Sequence, residues 1–194
     1  FTPIGSGAIA QVNPFIFNPI PSKTYGNPDF NGGATSLNTT QPIVYTSSNP
    51  LVATIVSGLI HITGAGTSTI NASQATDGNY PAASVNQTLT VNQAALTVTA
   101  DNKTKFEQVA NPPLTITYTG FVLGETSAVL LTQPSISTTA VLASPPGTYP
   151  ITVTGATAAN YTITHVNGVM TVTPKQNQTI TFNAIATKTY GNAP

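Results

Sequence analysis

The chain predicts an all-β fold, two tandem β-sandwich modules set end to end as an elongated rod. Three observations carry this. Short runs alternate apolar residues with threonine. Glycine and proline, 15 and 16 of the 194 residues, punctuate the whole length. Sequence similarity recurs at a period near 80 residues.

Taken in chain order, residues 1–10 (FTPIGSGAIA) match nothing else in the chain and stay unassigned. A first module is expected over about 11–93, and a second over about 94–174. Residues 175–194 open a further, incomplete copy. The strand signals are Leu96-Thr-Val98, Leu114-Thr-Ile116-Thr-Tyr118, Ile151-Thr-Val153 and Tyr161-Thr-Ile163. In each, one face is apolar and the other hydroxylated, which is the period of a half-buried strand. Turn residues lie between such runs, at Asn31-Gly32-Gly33, Asp77-Gly78-Asn79 and Pro145-Pro146-Gly147. Threonine occurs 35 times, and its branched side chain suits a pleated, half-exposed surface.

The repeats set the organisation. Residues 11–27 (QVNPFIFNPIPSKTYGN) align with 176–192 (QNQTITFNAIATKTYGN), identical at nine of seventeen positions. The pentapeptide Lys23, Thr24, Tyr25, Gly26, Asn27 therefore returns as Lys188, Thr189, Tyr190, Gly191, Asn192. A weaker repeat at an offset of 81 links Asn79-Tyr80 with Asn160-Tyr161, and Thr90-Val91 with Thr171-Val172. KTYGN reads as the start of a module. Gly26 would allow a sharp turn, and Tyr25 would tuck against its own core or the preceding module. At the same offset, Tyr25 falls on Phe106 and Gly26 on Glu107, so the turn should be reshaped in the second module. The second KTYGN makes Pro194 read as a cut edge, and Phe1 as a processed or truncated start.

The first module carries Tyr45-Thr-Ser-Ser-Asn-Pro-Leu-Val-Ala-Thr-Ile55, Gly58-Leu-Ile-His-Ile62 and Gly66-Thr-Ser-Thr-Ile-Asn-Ala72. That series resembles the bacterial immunoglobulin-like group 2 repeat. The second carries Leu114 to Tyr118, Pro146-Gly-Thr-Tyr-Pro-Ile-Thr-Val153, Ala159-Asn-Tyr161 and Gly168-Val-Met-Thr-Val172. It resembles the MBG repeat found in very large bacterial adhesins, often of Bacteroidota. The resemblance implies tandem immunoglobulin-like sandwiches on the bacterial cell surface. It implies an extracellular adhesive stalk whose partners are adjacent repeats of the same chain, surface glycans or other cells, with gliding motility among its uses.

Composition excludes several classes. The chain has five basic and five acidic residues, and every basic residue is lysine. No basic surface exists to neutralise phosphates, so no nucleic-acid partner is expected. No apolar run reaches the roughly 20 residues of a membrane span, so no membrane insertion is expected. His61 and His165 are far apart in a chain without cysteine, and the acids Asp29, Asp77, Asp101, Glu107 and Glu125 are scattered. No metal site, cofactor or catalytic set is expected, and the chain reads as no enzyme. Asp101 and Glu107 could approach each other near a module junction. His61 should face solvent and His165 should pack at a rim. The lysines, Lys105 among them, read as solvated rather than as partners in a lysine–asparagine cross-link. Tyr80 and Tyr161 precede the last strand of each module and read as structural core tyrosines with a bonded hydroxyl. Two other roles fit this composition, a glycan- or ice-binding module and a self-assembling filament or sheath subunit. Low charge predicts a molecule nearly indifferent to salt. Its melting temperature should be almost unchanged between dilute buffer and about 1 M NaCl, as measured by circular dichroism.

Overall fold

The computed structural model describes residues 14–176, 178–184, 187, 190 and 191. Within them are thirteen strands and one short 3-10 turn at Ser127–Val129. The strands fall into two groups with no sheet shared between them.

The N-terminal group holds β1 (Lys23–Thr24), β2 (Ile43–Ser47), β3 (Ala53–Val56), β4 (Leu59–Ile62), β5 (Gly66–Gln74) and β6 (Ala83–Asn92). One sheet runs β1-β6-β5-β2, and β3-β4 forms a second. Ser57 and Gly58 both have positive φ, which matches the right-handed twist of a two-residue hairpin between β3 and β4. The β3-β4 ribbon is extended by a bridge between Ile60 and Phe30. Alternation along β5 sends Ser68, Ile70, Ala72 and Gln74 inward. The inward Gln74 amide donates to the carbonyls of Asn38 and Gln41, so its burial leaves no orphaned donor there.

The C-terminal group holds β7 (Ala94–Ala100), β8 (Lys103–Phe106), β9 (Ile116–Thr119), β10 (Ser135–Thr138), β11 (Gly147–Thr154), β12 (Tyr161–Val166) and β13 (Gly168–Thr173). Its sheets run β10-β11-β13-β8 and β12-β7-β9. The chain changes sheet between β7 and β8, at Asp101-Asn102. Asp101 secures the switch by accepting the hydroxyls of Thr115 and Thr117, and Asn102 accepts the Val169 amide. Those two threonine bonds hold the Asp101 carboxyl below the usual range. Gly168 allows the crossing, since a Cβ there would lie 2.3 Å from the Ala100 carbonyl.

Each group closes around its own fully buried side chains, Ile60, Ile70 and Leu89 in the first and Leu96, Val98, Ile151, Val153 and Met170 in the second. The fold is all-β, with two immunoglobulin-like sandwiches in tandem. Three strand pairs are parallel, β1-β6, β12-β7 and β8-β13. Alternation says nothing of strand direction, so these are new to the structure.

The pairings also correct the repeat alignment. Thr24 pairs with Asn92, and Phe106 pairs with Thr173. The Tyr25 and Glu107 amides then donate to Asn92 and Thr173 respectively. Thus Tyr25 is equivalent to Glu107 and Gly26 to Gln108, an offset of 82 rather than 81. The turn is not reshaped, for Gln108 keeps a positive φ of 56° where Gly26 has 92°. The first module carries one residue more than the second between this turn and Asn79, which hides the match from an ungapped comparison.

Ile70→Ala and Ile151→Ala each remove a buried side chain from a different sandwich. Each should destabilise its own sandwich by about 2–5 kcal/mol in urea unfolding and leave the other transition in place.

Candidate functional site: the junction between the sandwiches

No cluster of catalytic or metal-ligating residues emerges among the described residues, and no group of three histidines and acids could hold a metal ion. The most elaborated polar site is the contact between the two sandwiches. Strand β6 ends at Asn92 and β7 begins at Ala94, so Gln93 alone links them. Gln93 donates to the Ala159 carbonyl and accepts the Thr162 hydroxyl, which ties the link to the second sandwich.

KTYGN builds the first side of this contact, and each of its residues has a physical role. The Lys23 ammonium lies 4.5 Å from the centre of the Phe30 ring, a cation–π contact. Thr24 and Asn27 close the turn by exchanging two bonds, Thr24 amide to Asn27 Oδ1 and Asn27 amide to Thr24 carbonyl. Gly26 takes the positive φ, and a Cβ there would lie 2.7 Å from Val122. Tyr25 is buried, its ring edge-on to Tyr161 at 5.8 Å. Its ring and hydroxyl meet the following sandwich, a neighbour that the expectation of its own core or the preceding module did not include.

The second sandwich answers with the loop 120–125. Leu123 and Gly124 both have positive φ, and the Glu125 amide closes back on the Val122 carbonyl. That turn points Glu125 at the junction. Its carboxylate accepts the Tyr25 hydroxyl at 2.9 Å and, through the other oxygen, the Tyr161 hydroxyl. Tyr161 also accepts the Val122 amide, so it braces the loop that carries its partner. Phe121 adds a third ring, edge-on to Tyr161 at 5.5 Å. Asn160 accepts the Ala65 amide of the first sandwich at 2.9 Å.

Electrostatics follow from this packing. Burial first, then the bond to Glu125 and its negative charge, push the Tyr161 hydroxyl up to about 12. The same causes in the same order raise Tyr25. A raised tyrosine contributes stability that is fully present below its ordinary value near 10 and is lost as pH climbs through the folded value.

The other residues singled out by sequence are placed as follows. Tyr161 is buried with its hydroxyl bonded. Tyr80 is only half-buried and lies outside the core, in a turn whose backbone amide donates to Asp77. Of the second KTYGN, Tyr190 is fully exposed and Gly191 has a φ of 96°, close to that of Gly26. Lys188, Thr189 and Asn192 lie outside the described residues, as do residues 1–10. His61 pairs with Asp29 at 2.7 Å on an exposed surface. His165 is exposed, not packed at a rim. Asp101 and Glu107 do not meet, since Asp101 is taken by threonines and Glu107 accepts the Lys175 amide. Lys105 differs most from expectation. It is 5% exposed, and its ammonium donates to the carbonyls of Val109 and Val141. Its inward parity on β8 was the available signal. Glu125 gave no local signal at all, being one scattered acid in a loop.

Residues 96–171 match the family model of the MBG domain (YGX type), and residues 38–76 match that of the intimin immunoglobulin-like domain. The two matches fall on successive stretches, consistent with tandem bacterial immunoglobulin-like repeats. No protein of curated function matches by sequence. Among solved structures, the chain is similar to Drosophila N-cadherin EC1-3, at 15% identity and a TM-score of 0.30, over 86% of this chain and 69% of that one. It is also similar to Drosophila N-cadherin EC1-4, at 10% identity and a TM-score of 0.35, over 84% and 50%.

Replacing Glu125 by Gln removes the charge that opposes tyrosine ionisation but keeps an acceptor. In an alkaline titration followed by tyrosinate absorbance, with Tyr161→Phe identifying the signal, the Tyr161 midpoint should fall from about 12 toward its ordinary value. A midpoint that stays in place would remove Glu125 from this account.

Proposed function

We propose that this chain is a structural, adhesive repeat segment of a large extracellular bacterial surface adhesin, a stalk that extends a binding end away from the cell. Surface attachment, including that used in gliding, is the activity such a stalk serves. The matched families are adhesin-like, extracellular repeat modules, and no helix among the described residues is long and apolar enough to cross a membrane.

The observation that carries the reading is the Tyr25–Glu125–Tyr161 contact. A stalk must hold its modules at a fixed angle, or its reach collapses to that of a flexible chain. Here the single linking residue Gln93 is itself bonded, and an aromatic and carboxylate contact locks the faces on either side. The charged bonds are shielded by rings, so salt screens them less than a surface pair. Extension is thus built from the packing of neighbours, as in other repeat arrays.

Small-angle scattering tests this directly. The chain should give a narrow, extended distance distribution. Tyr25→Ala combined with Glu125→Ala should broaden it and shorten the mean end-to-end distance, with both sandwiches still folded. If the unaltered chain already scatters as two freely jointed bodies, the rigid-stalk reading fails.

A further inference from the structure

Both sandwiches set the strand by which the chain enters beside the strand by which it leaves, and the two run parallel. In the second sandwich the chain enters on β7 and β8 and leaves on β12 and β13. Residues 94–99 pair with 161–166 in one sheet, and 103–106 pair with 170–173 in the other. In the first sandwich β1 pairs with the end of β6, Lys23 with Val91 and Thr24 with Asn92.

The stalk reading is the premise here, because a stalk is pulled from both ends. Tension then draws the entering strand one way and its parallel partner the other. The pair is sheared, and bonds that lie across the strands are loaded together rather than one at a time.

The two sandwiches differ in how much ladder meets that load. In the second, load arriving at Ala94 meets the β7–β12 ladder and then the β8–β13 ladder. The end of the latter is tied again, by the Glu107 amide to the Thr173 carbonyl and by the Thr173 hydroxyl to the Lys105 carbonyl. In the first, load passes the Ile16–Thr35 bridge and the bond from the Gln87 side chain to the Phe17 carbonyl. It then reaches β1, a strand of two residues. What reinforces β1 comes from the other sandwich. Tyr25 follows β1 directly, and its amide donates to the Asn92 carbonyl at 2.8 Å. Its hydroxyl is held by Glu125, and its ring meets Tyr161. One residue therefore carries both the backbone bond that extends β1 and the side-chain bond that locks the junction.

We propose that β1 is a tension latch: load that shears it from β6 also withdraws Tyr25 from Glu125, so the first sandwich opens before the second and frees the junction as it does. At rest the stalk holds its angle. Under load it gains length and freedom at one defined place, while the longer parallel ladders keep the second sandwich folded.

Single-molecule pulling on the whole chain, with handles at its two ends, tests this. Two opening events are expected. Ile70→Ala should shift only the lower-force event and Ile151→Ala only the higher, which assigns the lower event to the first sandwich. Tyr25→Phe keeps the ring and the backbone and removes only the hydroxyl that reaches Glu125. At constant force it should speed the lower event about tenfold, as expected for one hydrogen bond to a carboxylate, and leave the higher event in place. Glu125→Ala should also speed the lower event, and adding Tyr25→Phe to it should change little more, since both remove the same bond. Circular dichroism melts should confirm that each variant is folded before it is pulled. A lower event that follows Ile151→Ala overturns the proposal, as does a single force at which both sandwiches open. So does a lower event unmoved by Tyr25→Phe, or additive effects of the two junction variants. These results concern the loaded chain, so the scattering of the resting chain decides the stalk reading separately.

Discussion

Glu125 is one carboxylate asked to satisfy two hydroxyls from two different bodies, and much of the junction follows from that requirement. A half-buried carboxylate needs donors, and each hydroxyl that reaches it loses water in doing so. Tyr25 and Tyr161 can both arrive only if their rings cross edge to face, as they do. Glu125 can stand between them only if its loop turns back sharply, which places a non-glycine residue, Leu123, at positive φ. Such a backbone is held by its surroundings, and here the Tyr161 hydroxyl holds it through the Val122 amide. Val122 then fills the space left by the missing side chain of Gly26. Glycine at that position is thus required twice over, by the turn of its own sandwich and by the neighbour pressed against it.

This arrangement suits a chain with almost no charge. Five lysines and five acids cannot cover two sandwiches with ion pairs. Polar groups are satisfied locally instead. Asn38, Asn49 and Asp77 bond the backbone within a few residues of themselves, and Asp101 is met by threonine rather than lysine. Asp77, Asp101, Glu107 and Glu125 serve as fixed acceptors of hydroxyls and backbone amides in turns, a sheet switch and the junction, while Asp29 pairs with His61. The buried lysine is handled in the same manner, by carbonyls.

How much of this was legible in sequence depends on the range of the interaction. Strands were legible because alternation is a local property and each strand buries one face. Ile151 and Val153 sit inward with Thr152 between them, as the pattern requires. The module period was legible because duplicated segments keep their residues. Strand direction, the sheet switch at Asp101 and the partner of Tyr25 were not. Tyr25 and Glu125 are 100 residues apart, and nothing near either residue records the other. Tyr80 and Tyr161 illustrate the limit best. The two share a neighbour and a spacing, yet Tyr161 is buried because a turn rich in rings stands over it. Tyr80 sits instead in a turn closed by the Asp77 carboxylate, which also accepts the Thr40 hydroxyl.

The paired turns at Tyr25-Gly26 and Glu107-Gln108 show what repetition preserves. Glycine at positive φ is nearly free of strain, whereas glutamine there is held against a steric preference of roughly 1 kcal/mol. Yet both turns donate the same backbone bond to the carbonyl at the end of the last strand and close in the same place. The backbone frame of the turn is kept while its side-chain chemistry is changed, from a tyrosine donor to a carboxylate acceptor. The backbone bond and the positive φ are what the two turns share, while the side chains at the matching positions meet different partners, Tyr25 the Glu125 carboxylate and Glu107 the Lys175 amide.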